Sequence, residues 1–278
     1  MANAASEKSA QSAASDGAAS GTIPFRSAMR SHPGRIRREN QDACAAAPEL
    51  GIYLVCDGMG GAAAGEIASH IATETFLHSI GQSASLPAEP QPQNSMTADH
   101  PQRRLEQAVR AANLAVYQRA QKYRALRGMG TTLVATLVHR THTGCTAWIA
   151  HVGDSRCYLL RANNLRQLTT DHSLVEEQIQ AGLLSRQEAE FSPVRNVITR
   201  AVGTQPTVPA DILAHPLQSG DVLLLASDGL IRELPDAEIS RILANHGTDL
   251  EAACAALIGA GNAHGGRDNI TVLLIAAD

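Results

Sequence analysis

Leu54-Val55-Cys56-Asp57-Gly58-Met59-Gly60-Gly61-Ala62-Ala63-Ala64-Gly65 is an apolar run that ends in an acid and opens into glycines. It reads as a buried strand, a turn and a helix start. Two chemistries fit it. Gly58-x-Gly60-x-x-Ala63 matches a dinucleotide fingerprint, in which glycines bring the backbone against a pyrophosphate. Asp57, at the mouth of the strand, is instead placed to ligate a metal ion. The surroundings count against the nucleotide. That fingerprint needs a second parallel strand closing on an acid about 20 residues later. Glu74 lies near that distance but inside a helical pattern, and the chain then enters a stretch rich in Pro, Gln, Ser and Ala.

Working outward, residues 51–56 form a strand and 66–80 a helix, with Ile67, Ile71 and Ile80 near one face. Residues 103–123 carry Leu105, Val109, Ala112, Val116 and Tyr123 at helical spacing. Strands follow at 133–138, 145–152 and 156–161, with Asn163-Asn164 as a hairpin turn. Ser173-x-x-Glu176 and Ser185-x-x-Glu188 are capping boxes opening two short helices, the first closed by Gly182. A strand at 222–226, helices near 236–245 and 249–261, and a last strand at 270–276 complete the pattern. Strands and helices come in groups, which predicts an α+β fold with largely antiparallel sheet.

At 278 residues and 44% hydrophobic content the chain supports one good core. Residues 1–21, Ala/Ser/Gly-rich, are expected to be a disordered tail, leaving 22–278 as a single domain with a surface insertion at 81–102. A net charge of −4 argues against a nucleic-acid partner bound through a basic patch. No apolar stretch is long enough to span a membrane, and no secretory signal is visible, so a cytoplasmic location is expected. The five cysteines, Cys44, Cys56, Cys145, Cys157 and Cys254, form no paired motif and read as core residues.

The opening motif has an echo in Val222-Leu223-Leu224-Leu225-Ala226-Ser227-Asp228-Gly229, another apolar run ending in Asp-Gly. Asp154 follows the strand at 145–152, and Asp268 precedes the last one. One such acid is ordinarily a turn residue. Four at strand ends cannot converge unless cations neutralise them, and hard oxygen-seeking ions such as Mg²⁺ or Mn²⁺ suit such a site. Upstream, Arg35, Arg37 and Arg38 precede Asp42; a guanidinium there can grip a phosphate through two hydrogen bonds.

Arg37-x-x-Asn40-Gln41-Asp42, Asp57-Gly58-Met59-Gly60-Gly61, Gly130-Thr131-Thr132, Gly153-Asp154-Ser155-Arg156, Ser227-Asp228-Gly229 and Asp268-Asn269 together resemble the PPM/PP2C family of metal-dependent serine/threonine phosphatases, in its small bacterial form. The resemblance spans about residues 25–277. It implies an α-β-β-α sandwich of two central antiparallel sheets flanked by helix pairs. It implies that Asp57 bridges two Mn²⁺ or Mg²⁺ ions, that the Gly58 carbonyl joins the first, and that Asp228 and Asp268 hold the second. Asp42 supports the second-ion side, Asp154 helps bind a weaker third ion, and Arg37 binds the substrate phosphate. Residues 182–200 correspond to a flap. The implied reaction is direct attack on phosphoserine or phosphothreonine by a hydroxide bridging the ions, without a phosphoenzyme. The implied partners are phosphorylated proteins and a cognate serine/threonine kinase, and the implied state is a monomer. A non-catalytic regulatory module on the same fold is the alternative. Two positions depart from the pattern: Gln41 stands where many relatives have Glu, and Met59 where animal members have a His proposed as general acid. Met has no proton to donate.

Overall fold

The computed structural model describes residues 24–61, 64–84, 100–142, 144–247 and 249–278. In chain order these form β1 (Phe25–His32), β2 (Asp42–Ala47), β3 (Ile52–Met59), α1 (Ala64–Ala84), α2 (Pro101–Lys122), β4 (Gly130–Thr131), β5 (Leu133–Thr141) and β6 (Gly144–Val152). There follow β7 (Arg156–Arg161), β8 (Asn164–Gln167), α3 (Leu174–Gln180), α4 (Arg186–Glu190), β9 (Asp211–Leu217) and β10 (Val222–Ala226). The rest comprises α5 (Asp228–Ile231), α6 (Asp236–His246), α7 (Leu250–Ala263) and β11 (Ile270–Ala277).

β3 shows why its sequence is apolar without a break. Ile52, Leu54 and Cys56 face α1 and α2 and pack with Ala68, Ala72, Phe76 and Leu105. Tyr53 and Val55 point the other way, onto Leu223, Leu225 and Leu273 of a second sheet. Both faces are therefore dry, and period-two alternation feeds two cores at once. The second sheet runs β1-β11-β10-β7-β8, and the first runs β2-β3-β5-β6-β9 with β4 added to β3. All the pairings are antiparallel. On the far face of the second sheet, Leu224, Val272 and Leu274 pack against Ile239, Leu243 and Leu257 of α6 and α7. The result is the expected four-layer α-β-β-α sandwich. β3 has no parallel neighbour and Glu74 lies within α1, so a dinucleotide fold has no place here.

Several expectations need correction. β1, β2 and β9 carry no clear strand pattern in the sequence. β2 reads Asp-Ala-Cys-Ala-Ala-Ala, whose alanines favour helix, and β9 contains Pro216, which an edge strand tolerates. The buried stripe of α1 is Ala68, Ala72, Phe76 and Ile80, while Ile67 and Ile71 lie only partly buried at its flank. Small alanines on this stripe and at 108 and 112 of α2 let the two helices approach closely. The 163–164 turn sits one residue earlier: Ala162 (φ 48°) and Asn163 (φ 62°) are its central pair, between partners Arg161 and Asn164. Ser185 and Glu188 form the full capping box, whereas at Ser173 only the bond from the Glu176 N–H to the serine oxygen is seen. The insertion is shorter than 81–102, because α1 continues to residue 84 and α2 starts at Pro101. The expected tail at 1–21 and the middle of that insertion lie outside the described residues.

Candidate functional site

Asp57 and Asp42 are direct cross-strand partners at one end of β3 and β2. Like charges in that relation are unfavourable, so the placement marks function rather than stability. The Asp57 main chain is clamped on both sides. Its N–H donates to Thr132 Oγ1 (2.9 Å), and its carbonyl accepts from the Thr132 N–H (2.8 Å) and Thr131 Oγ1 (2.8 Å). Thr132 Oγ1 also meets Ser155 Oγ at 2.7 Å, which ties the loop carrying Asp154 to the same bracket.

The glycine after Asp57 is fixed by packing. A Cβ on Gly58 would stand 2.1 Å from the Gly65 carbonyl oxygen, and one on Gly65 would stand 2.7 Å from the Gly58 oxygen. The start of α1 thus lies directly against the strand end. Gly229 is under the same constraint: its Cβ would fall 2.0 Å from the Asn269 carbonyl oxygen. That close approach brings the Asp228 and Asp268 segments together.

The other sheet supplies the remaining acids. Asp228 opens α5 directly after β10, and Asp268 precedes β11. Asp42 is joined to that sheet by hydroxyls, its Oδ2 accepting from Ser227 Oγ (2.8 Å) and Thr271 Oγ1 (2.7 Å). Asn269 fixes the loop before β2. Its Oδ1 accepts from the Gln41 N–H (2.8 Å) and its Nδ2 donates to the carbonyls of Pro33 (3.0 Å) and Glu39 (2.9 Å). This loop carries Arg37, whose Nη2 donates to Asp268 Oδ2 at 2.9 Å.

These elements line an open cleft of about 620 Å³ that holds Arg37, Gln41, Asp57, Gly58, Met59, Asp228 and Asp268. Asn196 and Ile198, from the segment expected to be a flap, form part of its wall. Asp42 lies outside the cleft lining, buried beneath β3's end, and Asp154 lies outside it beside Asp228, reached through Arg232.

Burial dominates the electrostatics. It pushes the Asp42 carboxyl up to about 7, helped by Asp228 and Asp268 and opposed by the two hydroxyls. Asp154 is pushed up to about 7 by burial and by Asp228, with Arg232 opposing. Asp57 keeps a solvent-accessible edge, yet protein and four other carboxylates surround it. Desolvation first, then their charge, raises it well above the usual range. Asp228 is raised by burial and lowered by Arg232. Each of these groups is harder to ionise than a free carboxylate, and a bound cation would offset that cost.

The residues fit hard cations. The candidate donors are all oxygens, and Asp42 Oδ1, Asp154 Oδ1 and Asp228 Oδ1 are buried without a hydrogen-bond partner. Among the described residues, no three His, Cys, Asp or Glu side chains stand in ready coordination geometry. Asp268, Asp228 and Asp154 are instead engaged by Arg37 and Arg232. Cys56 is fully buried, and burial pushes its thiol up to about 12, which disfavours the thiolate a nucleophile needs.

Some functional neighbours were not predicted. Thr131, Thr132, Ser227 and Thr271 position the acids, and of these only Thr271 lies outside the quoted motifs. Their signal in sequence is weak, because a hydroxyl at a strand end is ordinarily a surface residue. Arg232 had a readable signal: it follows Asp228 by four residues, the spacing of a helical ion pair.

Comparison with known proteins agrees with this arrangement. The family model described as Protein phosphatase 2C matches residues 35–261. The serine/threonine phosphatase stp of Listeria innocua is 37% identical over 250 residues, covering 89% of this chain and 94% of its own. The crystal structure of the Mycobacterium tuberculosis serine/threonine phosphatase PstP/Ppp superposes with a TM-score of 0.78 at 32% identity, covering 91% of this chain and 99% of that one. The catalytic domain of PstP in complex with two manganese ions gives a TM-score of 0.76 at 31% identity, covering 92% of this chain and 99% of that one. The chain belongs to the protein phosphatase 2C family.

Proposed function

We propose that the protein is a metal-dependent serine/threonine phosphatase that hydrolyses phosphoserine and phosphothreonine monoesters in other proteins. One observation carries this reading. Asp57, Asp228 and Asp268, from two different sheets, meet at one cleft with an arginine at its rim, and Asp228 in the lining, like Asp42 and Asp154 behind it, has a buried oxygen that lacks any partner. A non-catalytic module has no need to keep so unfavourable a cluster.

In this reading Asp57, the Gly58 carbonyl, Asp228 and Asp268 would hold two divalent ions, Mn²⁺ or Mg²⁺, with Asp42 in support. Bound there, such ions lower the pKa of water and offset negative charge on a phosphoryl group. Arg37 turns from Asp268 to the phosphate and grips two of its oxygens, fixing phosphorus for in-line attack. A water oxygen bonds to phosphorus as the bond to the Ser or Thr oxygen breaks; the water gives up a proton and the leaving oxygen takes one from solvent, since Met59 has none to give. Gln41 is a weaker ligand than a carboxylate and leaves the second ion to the aspartates. The substrates are products of a serine/threonine kinase, and the enzyme acts as a cytoplasmic monomer. Free cysteines, four of them buried, suit a reducing compartment.

The test is hydrolysis of a phosphothreonine peptide by metal-depleted protein, with Mn²⁺ added back and then removed by EDTA. Activity is expected only with the ion. Turnover that persists in EDTA overturns the reading.

A further inference from the structure

Arg232 has no task in the two-ion reading. It lies one turn after Asp228, its Nη2 on Asp228 Oδ2 and 3.5 Å from Asp154 Oδ2. Asp154 and Asp228 are only 6% and 8% exposed, and Oδ1 of each has no hydrogen-bond partner. Two buried carboxylates this close repel unless a cation stands between them. A divalent ion would meet that need, and so does a guanidinium already in place. An ion bridging the pair through the Oδ2 atoms would displace the guanidinium, and one held by the two Oδ1 atoms would bind beside a fixed positive charge that weakens it. Asp228 lines the cleft, and Arg232 engages its Oδ2 while its Oδ1 has no hydrogen-bond partner. The next acid along, Glu233, is taken by Arg267, which leaves Arg232 to the aspartates.

We propose that Arg232 is the built-in counter-charge of the Asp154–Asp228 pair and stands where a further divalent ion would otherwise sit, confining bound ions to the Asp57 side of Asp228. This rests on the metal reading above and assigns Arg232 a positioning role that sets how many ions the chain holds. Without its charge, the two carboxylates become an oxygen site for a weak additional cation.

The experiment counts bound Mn²⁺ per chain by equilibrium dialysis and metal analysis, with electron paramagnetic resonance distinguishing bound from free ion. The protein as it exists is compared with Arg232→Gln, Arg232→Lys, Asp154→Asn and the double variant Arg232→Gln/Asp154→Asn. Arg232→Gln is expected to gain one weaker equivalent, which the double variant loses again. Arg232→Lys keeps the charge and gains none, and Asp154→Asn alone leaves the count unchanged. An Arg232→Gln chain with no gain, or an equivalent lost on Asp154→Asn alone, overturns the proposal. Should Arg232→Gln fail to fold by circular dichroism, the Asp154→Asn count decides. Absence of any Mn²⁺ from the unaltered protein strikes the metal reading instead, because the gain on Arg232→Gln is scored as a difference.

Discussion

Asp57 is held by its main chain while its carboxyl is left among four others. The clamp and the charge therefore separate under mutation. Asp57→Asn keeps the Thr131–Thr132 bracket and removes a desolvated negative charge. We expect metal-dependent hydrolysis to fall by at least roughly 10²–10³, the usual cost of removing an electrostatic stabiliser. The metal-depleted variant should melt above the metal-depleted parent, as sites that trade stability for activity do. Wild-type turnover, or a lower melting temperature, contradicts this account. Arg37→Lys tests the fork at the rim. A lysine keeps the charge but not the paired hydrogen bonds, so kcat/KM should drop about tenfold to a hundredfold with metal affinity unchanged. At this scale Asp57, Asp154, Asp228 and Asp268 were readable because each borders an apolar strand, whereas Asp42 was marked only by the motif around it. The hydroxyls of Ser227 and Thr271 were not, since only the docking of two sheets turns them onto Asp42.

Elements are placed by close approach as much as by pattern. Gly58→Ala forces β3 and the start of α1 apart, because the added Cβ would stand 2.1 Å from the Gly65 carbonyl oxygen. Overpacking of that kind costs about 1–3 kcal/mol, read as a shift in denaturant midpoint, and it should abolish activity. Asn113 of α2 is a second fixed point. Its Oδ1 accepts from the Gly203 N–H at 2.7 Å, and its Nδ2 donates to the carbonyls of Gln205 and Pro206, both at 3.1 Å. Asn113→Ala leaves the buried Gly203 N–H without its partner and frees the loop at Gln205 and Pro206, and should cost about 1–3 kcal/mol. An unchanged denaturation midpoint would show that water takes the amide's place. The long helices and inner strands were legible because their apolar residues recur at the period of the element. β1, β2 and β9 were not, because edge strands bury too little to need an apolar pattern and are held by the ladder beside them.

Over the whole molecule, the buried acids set the response to pH. Asp42 and Asp154 bind protons up to about pH 7 when folded and only to about 3.8 when unfolded. Between these values the native state holds more protons than the unfolded one, so stability falls as pH rises. Metal-depleted protein should therefore melt at a higher temperature near pH 5 than at pH 7.5, and Mn²⁺ should flatten or reverse that slope by replacing the protons. A melting temperature that climbs with pH in the absence of metal contradicts the buried-acid account.

β11, last of the described strands, lies between β1 and β10 rather than at an edge. The five-stranded sheet is thus incomplete until residues 270–277 join β1 to β10, and the preceding residue pair, Asp268 and Asn269, arrives with them. Until that insertion Asp42 lacks the Thr271 hydroxyl, Gln41 lacks its amide partner and the cleft lacks one wall. Completing the sheet and completing the centre are therefore one event: a chain in which β11 is not docked has no whole centre with which to strip phosphate from its neighbours.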